Sequence, residues 1–249
     1  MVLWISSAVN EEETHIWINN LTMLMLSDDR FTWLSLPGGA ERVKYFVRRD
    51  SGNRDPLDSP YGILLESETL PQFEWPAASP FAKWIIENSS VFQNKKVLEL
   101  GSGTGVVGLT AALYAAKVIL TDSSLVSLAM LKLTVEQNSY ENCRVGLLRW
   151  GSDDAVDELK EALSIESFDI IIGSDVFYFN STLRAGLKTA KRALQSSVSS
   201  SGGFFLCASV ARSERMEVDL DEVPATLGFE SNIVVESGVF KLYKWTVQS

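Results

Sequence analysis

One histidine and two cysteines among 249 residues exclude much chemistry at the outset. With His15 alone, no Ser-His-Asp relay and no multi-histidine metal site can be built around the rest of the chain. His15 follows Glu11-Glu12-Glu13 and precedes Ile16-Trp17-Ile18, the setting of a peripheral and structurally neutral side chain. Cys143 and Cys207 are too few for a disulfide framework, and with a single histidine they make a poor zinc site, so no bound metal is expected. Both cysteines lie in apolar runs and read as reduced core residues of a cytoplasmic, or also nuclear, protein. No stretch approaches about 18 consecutive apolar residues, so no membrane span is expected. Met1 to Ile5 is apolar but has no basic leader and soon meets the three glutamates, so no signal peptide is expected either.

Positive charge is also short. Lysine and arginine number 22 against 32 aspartates and glutamates, a formal net charge of −10. That field repels a phosphate backbone and attracts a basic surface. Nucleic acid is therefore not the expected partner; a lysine-bearing protein segment is, with the chain acting as a monomer. Apolar residues, by contrast, make up 46% of the chain, enough for a sizeable core.

Two regions differ in pattern. Residues 1–60 read as a β-rich extension rather than an independent domain. In it Phe31 to Leu36 and Arg42 to Arg48 flank Pro37-Gly38-Gly39, a hairpin with Val43, Tyr45 and Val47 on one face and Arg42, Lys44 and Arg48 on the other. Residues 50–60 are a polar loop. Residues 61–249 read as the catalytic domain. From Lys95 onward, short apolar strands alternate with helices: strands at 96–100, 117–121, 144–148, 168–172 and 204–208, helices at 106–116, 125–135, 153–163 and 183–194. Continuously apolar strands between helices predict a parallel sheet covered on both faces. Residues 230–235 and 239–247, joined by Glu236-Ser237-Gly238, are too close for a crossover and predict a closing antiparallel hairpin.

A nucleoside-binding constellation sits at the first strand of that alternation. Glu99-Leu100-Gly101-Ser102-Gly103-Thr104-Gly105 joins a strand to a helix, and the glycines let a ligand approach the backbone at the carboxyl edge of the sheet. Asp122 ends the next strand, placed to accept hydrogen bonds from two ribose hydroxyls. Gly103 to Gly108 also fits the dinucleotide pattern G-x-G-x-x-G, which leaves a nicotinamide oxidoreductase as the alternative. Glu99 weighs against it, because a carboxylate there would repel a pyrophosphate and welcome the cationic methionine amino group of S-adenosylmethionine.

Residues 75–178 resemble the seven-strand lysine methyltransferases of methyltransferase family sixteen, the methyltransferase-like 21 group and its relatives. The resemblance lies in Trp75-Pro76-Ala77-Ala78, Val97 to Gly105, Leu120-Thr121-Asp122, Leu148-Arg149-Trp150-Gly151 and Gly173-Ser174-Asp175-Val176-Phe177-Tyr178. It implies a Rossmann-like α/β sheet of seven strands, S-adenosylmethionine as cofactor, and methylation of a lysine side chain in a protein. It further implies that Gly101, Ser102, Gly103 and Gly105 line the methionine moiety, that Asp122 holds the ribose, and that Trp150 lies beside the adenine. Trp75 would help close the pocket and Ser174 would supply backbone contacts near the adenosine.

Asp175 and Tyr178 match the family's Asp-x-x-Tyr motif, which faces the incoming amine. Methyl transfer from a sulfonium is an in-line displacement in which positioning does most of the work. A carboxylate favours ammonium over the reactive neutral amine, so Asp175 is expected to orient the amine rather than act as a simple base. Tyr178 would offer its ring to the methylated cation. There is no proline between Asp175 and Tyr178, unlike the Asn/Asp-Pro-Pro-Tyr/Phe run of nucleic-acid amino methyltransferases of this fold. Arginine, histidine or a small molecule remain alternative acceptors.

Overall fold

The computed structural model describes residues 3–4, 11–29, 31–36, 44–48, 72–195 and 202–248. Part of the expected N-terminal hairpin (37–43) and the polar loop at 50–60 lie outside them. Among the described residues no helix is long and apolar enough to cross a membrane.

Among the described residues ten strands and seven α-helices occur, and from Lys96 to Ser237 strands and helices alternate. The central strand β4 (Lys96–Leu100) is followed by α3 (Val106–Ala112), β5 (Lys117–Asp122), α4 (Leu125–Gln137) and β6 (Cys143–Leu147). Then come α5 (Asp153–Leu163), β7 (Ile170–Ser174), α6 (Asn180–Leu194), β8 (Phe204–Val210) and α7 (Glu214–Thr226). The hairpin β9 (Phe229–Ser237) and β10 (Phe240–Val247) closes the chain. These seven strands form one sheet, joined at its far edge by the two-residue β1 (Leu3–Trp4), in the order β1-β6-β5-β4-β7-β8-β10-β9. β10 alone runs against its neighbours, pairing antiparallel with both β8 and β9.

Because β4 to β6 wind to one side and β7 and β8 to the other, the winding reverses between β4 and β7. Open α/β sheets bind ligands at that reversal, outside the carboxyl ends of the strands. Alternate residues of each buried strand feed two separate cores. Val97, Val118, Ile170, Leu206 and Leu242 face one, with α1 to α4; Leu98, Ile119, Ile171, Phe205 and Tyr243 face the other, with α5 to α7. α3 is short but all seven of its residues are buried, as expected for a helix wedged directly behind the glycine loop.

Three helices are absent from the sequence reading. α1 (Glu11–Leu26) occupies a segment expected to be strand-like. Its acidic first turn suits the positive end of a helix dipole, and Thr14, Ile18, Thr22 and Met25 make a buried stripe at helical spacing. Ile16, Trp17, Met23 and Leu24 are exposed, so apolar residues occur all round the helix and blur its period. α2 (Ala78–Glu87) is entered through Trp75-Pro76 and carries Phe81, Ala82 and Ile85 inward. α7 begins at Ser213, whose side chain accepts from the Met216 amide, and carries Pro224 in its last turn, where proline reads as a breaker.

The hairpin β2 (Phe31–Ser35) and β3 (Lys44–Arg48) forms a small sheet of its own, outside the main one. The basic face assigned to it is only partly solvated: Phe46, between Lys44 and Arg48 on that face, is 3% exposed and packs against Phe31 and Trp33 at 5.5 and 5.0 Å between ring centroids. The hairpin is fastened to α4, the Phe46 amide donating to Thr134 Oγ1 and Asn138 bonding both the amide and the carbonyl of Lys44. The other attachment is to the segment before α2. Tyr45 donates its hydroxyl to Glu74, which Ser79 also reaches, and Arg48 bonds Gln72 and covers the Phe73 ring. Phe46→Ala should therefore lower the unfolding free energy in urea by about 3–5 kcal/mol. A loss below about 0.5 kcal/mol, the level of an uninvolved surface change, would show that the hairpin is outside the cooperative unit.

Candidate active site

A cavity of about 610 Å³ opens at the carboxyl ends of β4, β5, β6 and β7. Its lining brings together Trp75, Glu99, Gly101, Ser102, Gly103, Asp122, Trp150, Ser174, Asp175 and Tyr178. Of the residues singled out in the sequence only Gly105 stands outside it. Gly105 begins α3 at φ +81°, and a Cβ there would come within 2.5 Å of Leu131. It serves the packing of α3 on α4.

The loop after β4 climbs through positive φ at Gly101 (+64°) and Gly103 (+52°), conformations L side chains rarely adopt. At Gly101 a Cβ would meet Val176 at 2.9 Å and Trp150 at 3.2 Å, so the backbone itself forms the cavity wall. Asp122 fixes the loop from the next strand. Its Oδ2 accepts from the Gly103 amide at 2.9 Å and its Oδ1 from the Ser124 amide at 3.0 Å. The Ser127 hydroxyl holds the Gly103 carbonyl at 2.8 Å. Burial pushes the Asp122 carboxyl upward, against these donors. The Ser127 hydroxyl and the Ser123 amide also reach this carboxylate, which lines the cavity.

Glu99 is different. It is 2% exposed, and its Oε1 accepts from the Gly108 amide at 3.0 Å. Oε2 is fully enclosed and lies against Gly108, and the Ser102 hydroxyl also reaches the carboxyl and acts to lower it. Burial raises the carboxyl to about 8. A buried carboxylate with neutral donors and no cation is still costly, so the site is electrostatically incomplete in the direction of a cation. A primary ammonium beside the Glu99 carboxyl, which lines the cavity, would complete it, whereas a phosphate would make it worse.

The far end of the cavity is built by β7, β8 and the segment before α2. Asp175 sits at φ +52° with its amide bonded to the Ala208 carbonyl, and its carboxylate is enclosed. Oδ2 accepts from the Ala77 amide at 2.8 Å; Oδ1 accepts from the Val210 amide at 3.0 Å and from Arg212 Nη1 at 3.1 Å. One carboxylate thus ties together the end of β7, the end of β8 and the entrance to α2. Trp75 and Tyr178 meet there at 5.4 Å between centroids, tilted by 50°. The Arg212 guanidinium lies over both rings, 4.9 Å from Trp75 and 6.0 Å from Tyr178. Trp150 packs edge-on against Phe177 at 5.7 Å on the other side of the cavity.

Sequence reasoning missed Arg212 and, among the lining residues, Phe73, Ser123, Leu148 and Arg149. Phe73 lies two residues before Trp75, and Leu148-Arg149 directly precedes Trp150, so proximity to motif residues could have found them. Arg212 carries no local signal. His15 and both cysteines are not among the lining residues. Cys143 and Cys207 are buried, and burial raises both thiols, Cys143 to about 12, which leaves them inert.

The buried carboxyl sets a pH dependence. The folded value of Glu99, about 8, lies above the usual 4.5, so its contribution to stability is complete below about 4.5 and is lost as pH rises through 8. Asp122, also raised by burial, acts in the same direction. The melting temperature of the ligand-free protein should fall between pH 5 and 8, and Glu99→Gln should flatten that fall. Parallel melting curves for the two proteins across this range would contradict the assignment.

Three comparisons bear on the site. A family model described as lysine methyltransferase matches residues 67–222. Protein N-lysine methyltransferase METTL21A of Xenopus tropicalis is 33% identical over 119 residues, 46% of this chain and 51% of that protein. Histone-arginine methyltransferase METTL23 of Xenopus laevis is 31% identical over 140 residues, 55% and 57%. The chain therefore spans little more than half the length of the curated relatives it matches. Among solved structures, the 16S rRNA N2 G1207 methyltransferase RsmC of T. Thermophilus superposes with a TM-score of 0.55 at 19% identity, covering 89% of this chain and 52% of that one, which shows a shared fold. The family match covers more than half of the chain, contains the cavity's motif residues and agrees with the strand order: the chain belongs to the lysine methyltransferase family.

Proposed function

We propose that the protein is an S-adenosylmethionine-dependent methyltransferase that modifies a lysine side chain of a protein, with residues 61–249 as the catalytic unit and 1–60 as a frame around it. The observation that carries this is the incomplete carboxylate Glu99 beside a glycine loop and Asp122 in a single cavity. An amino-acid ammonium fits the Glu99 carboxyl, ribose hydroxyls fit the cavity-lining carboxylate of Asp122, and an adenine fits against Trp150 and Leu148. Ser174 lies near the adenosine end of this arrangement. S-adenosylmethionine supplies an electrophilic methyl group on a sulfonium.

The remaining work is positioning. Backbone at Gly101 and Gly103 brings the ligand close without side-chain obstruction, and Ser102 donates its amide to the Thr121 carbonyl of β5. Trp75 and Tyr178 line the acceptor end of the cavity, and this aromatic wall keeps water from competing. Asp175 holds these rings in place through Ala77 and Arg212, and so orients the acceptor end of the cavity. The acidic surface, net −10, favours a basic protein segment as substrate. A monomer working in the cytoplasm or nucleus is consistent with two buried, reduced cysteines. Arginine is the second acceptor reading, favoured by the 31% identity to a relative named as a histone-arginine methyltransferase.

The test is incubation of the purified protein and labelled S-adenosylmethionine with an extract lacking the enzyme, followed by mass spectrometry of labelled bands. Methyl-lysine is the expected product; methyl-arginine would move the acceptor, and label confined to nucleic acid would overturn the proposal. Asp122→Ala should weaken S-adenosylhomocysteine binding by about 1.5–3 kcal/mol, the worth of charge-assisted hydrogen bonds. An unchanged affinity by calorimetry would put the ribose elsewhere.

A further inference from the structure

A fixed cation that the reaction itself does not require packs against the wall of the cavity: Arg212 touches Asp175, Trp75 and Tyr178, which line it, without being a lining residue itself. Arg212, on the connection between β8 and α7, bonds Asp175 at 3.1 Å and lies 4.9 Å from the centre of the Trp75 ring and 6.0 Å from that of Tyr178. Its side chain is 20% exposed, and that of Asp175 is fully buried. Two consequences follow from simple electrostatics. The negative charge of Asp175 is cancelled by a guanidinium on one of its own oxygens, so an approaching ammonium gains little from it. The negative ring faces of Trp75 and Tyr178, which would otherwise attract a cation, already have one. A second cation at either ring would meet the guanidinium's field within a few ångströms, across a medium less polar than water.

Resting on the methyltransferase reading above, we propose that Arg212 is the residue that sets the charge of the acceptor: it cancels Asp175 and occupies the Trp75–Tyr178 pair, so that the site admits an uncharged amine and turns away an ammonium. The acceptor nitrogen leaves its proton in solvent before entry. Its lone pair then forms the new N–C bond as the S–C bond breaks, the bonding pair goes to sulfur, and the positive charge passes from sulfur to nitrogen. The methylated nitrogen, now a cation, meets the field of Arg212 and leaves as an ammonium, the one proton of the turnover having gone to solvent before entry. The ionisable groups around this end are Asp175 and Tyr178 on the β7 side and Cys207 on β8, whose thiol is kept neutral by burial. Glu99 and Asp122 line the same cavity. Arg212 is a positioning residue, acting through Asp175 and the two rings.

The test uses a pair of probes equal in shape and different in charge, choline and 3,3-dimethyl-1-butanol, each titrated by ligand-observed NMR. The protein is saturated with S-adenosylhomocysteine, and saturation is first confirmed for every variant by calorimetry. Wild type should prefer the uncharged alcohol. Arg212→Gln, which leaves Asp175 uncompensated and the rings open, should bind choline of the order of tenfold more tightly than wild type, with little change for the alcohol. Arg212→Lys, which keeps the charge, should behave like wild type. Should Arg212→Gln fail to fold, the wild-type preference and the Arg212→Lys variant still decide. Wild type binding choline as well as the alcohol would overturn the proposal. So would equal affinity for choline in wild type and Arg212→Gln, or failure of both probes to bind either protein. Loss of S-adenosylhomocysteine binding in wild type would instead overturn the methyltransferase reading itself.

Discussion

A carboxylate buried without a full set of donors at the end of the central strand is the constraint on which the site depends. Glu99 stands on β4, flanked on both sides by parallel strands and covered by α3. Gly108 must lack a side chain to leave room for it: a Cβ there would lie 2.3 Å from Glu99 Oε2 and from Leu120. The third glycine of an apparent dinucleotide pattern is thus explained by accommodation of a carboxylate. The Gly108 amide and the Ser102 hydroxyl reach the carboxyl but neither is a cation, and burial holds the group well above its usual range. Everything about this position favours a cationic ligand group over an anionic one.

The two other acids in the cavity, Asp122 and Asp175, have a different relation to the backbone. Asp122 is held by the amides of nearby Ser124 and of Gly103 on the preceding loop, Asp175 by amides distant in sequence, and each fixes the shape of one wall. Asp122 clamps the glycine loop. Asp175 clamps the entrance to α2, and through it Trp75, whose own neighbourhood is braced from outside by the Tyr45–Glu74 contact of the N-terminal hairpin. A small sheet far from the main one in topology therefore supports a wall of the cavity. The pH trend of folding, the closeness of the loop to its ligand and the aromatic acceptor end follow from the same few buried charges.

Much of this was legible in the sequence, for identifiable reasons. Strands β4 to β8 are continuously apolar because they are buried on both faces, and that pattern survives in any reading. The glycines at 101 and 103 announce positive φ, and Asp122 falls at a strand end where only a ligand or a loop could use it. The helices α1, α2 and α7 were not legible. α1 exposes Trp17, Met23 and Leu24, which masks its inward stripe; α2 follows Trp75-Pro76; and α7 combines acidic residues with Pro224. The enclosure of Asp175 was hidden for another reason. Its donors come from Ala77, Val210 and Arg212, which only the pairing of β7 with β8 and the approach of α2 bring together.

The central claim is that Glu99 is protonated in the free protein near neutral pH and ionised when it receives the ligand's ammonium. Proton exchange on binding tests it directly, by calorimetry of S-adenosylhomocysteine in buffers of different ionisation enthalpy between pH 6 and 7. With a free value of about 8, binding should release close to one proton in this range, and Glu99→Gln should abolish the release. Tight binding by wild type with no net proton release at either pH would contradict the account.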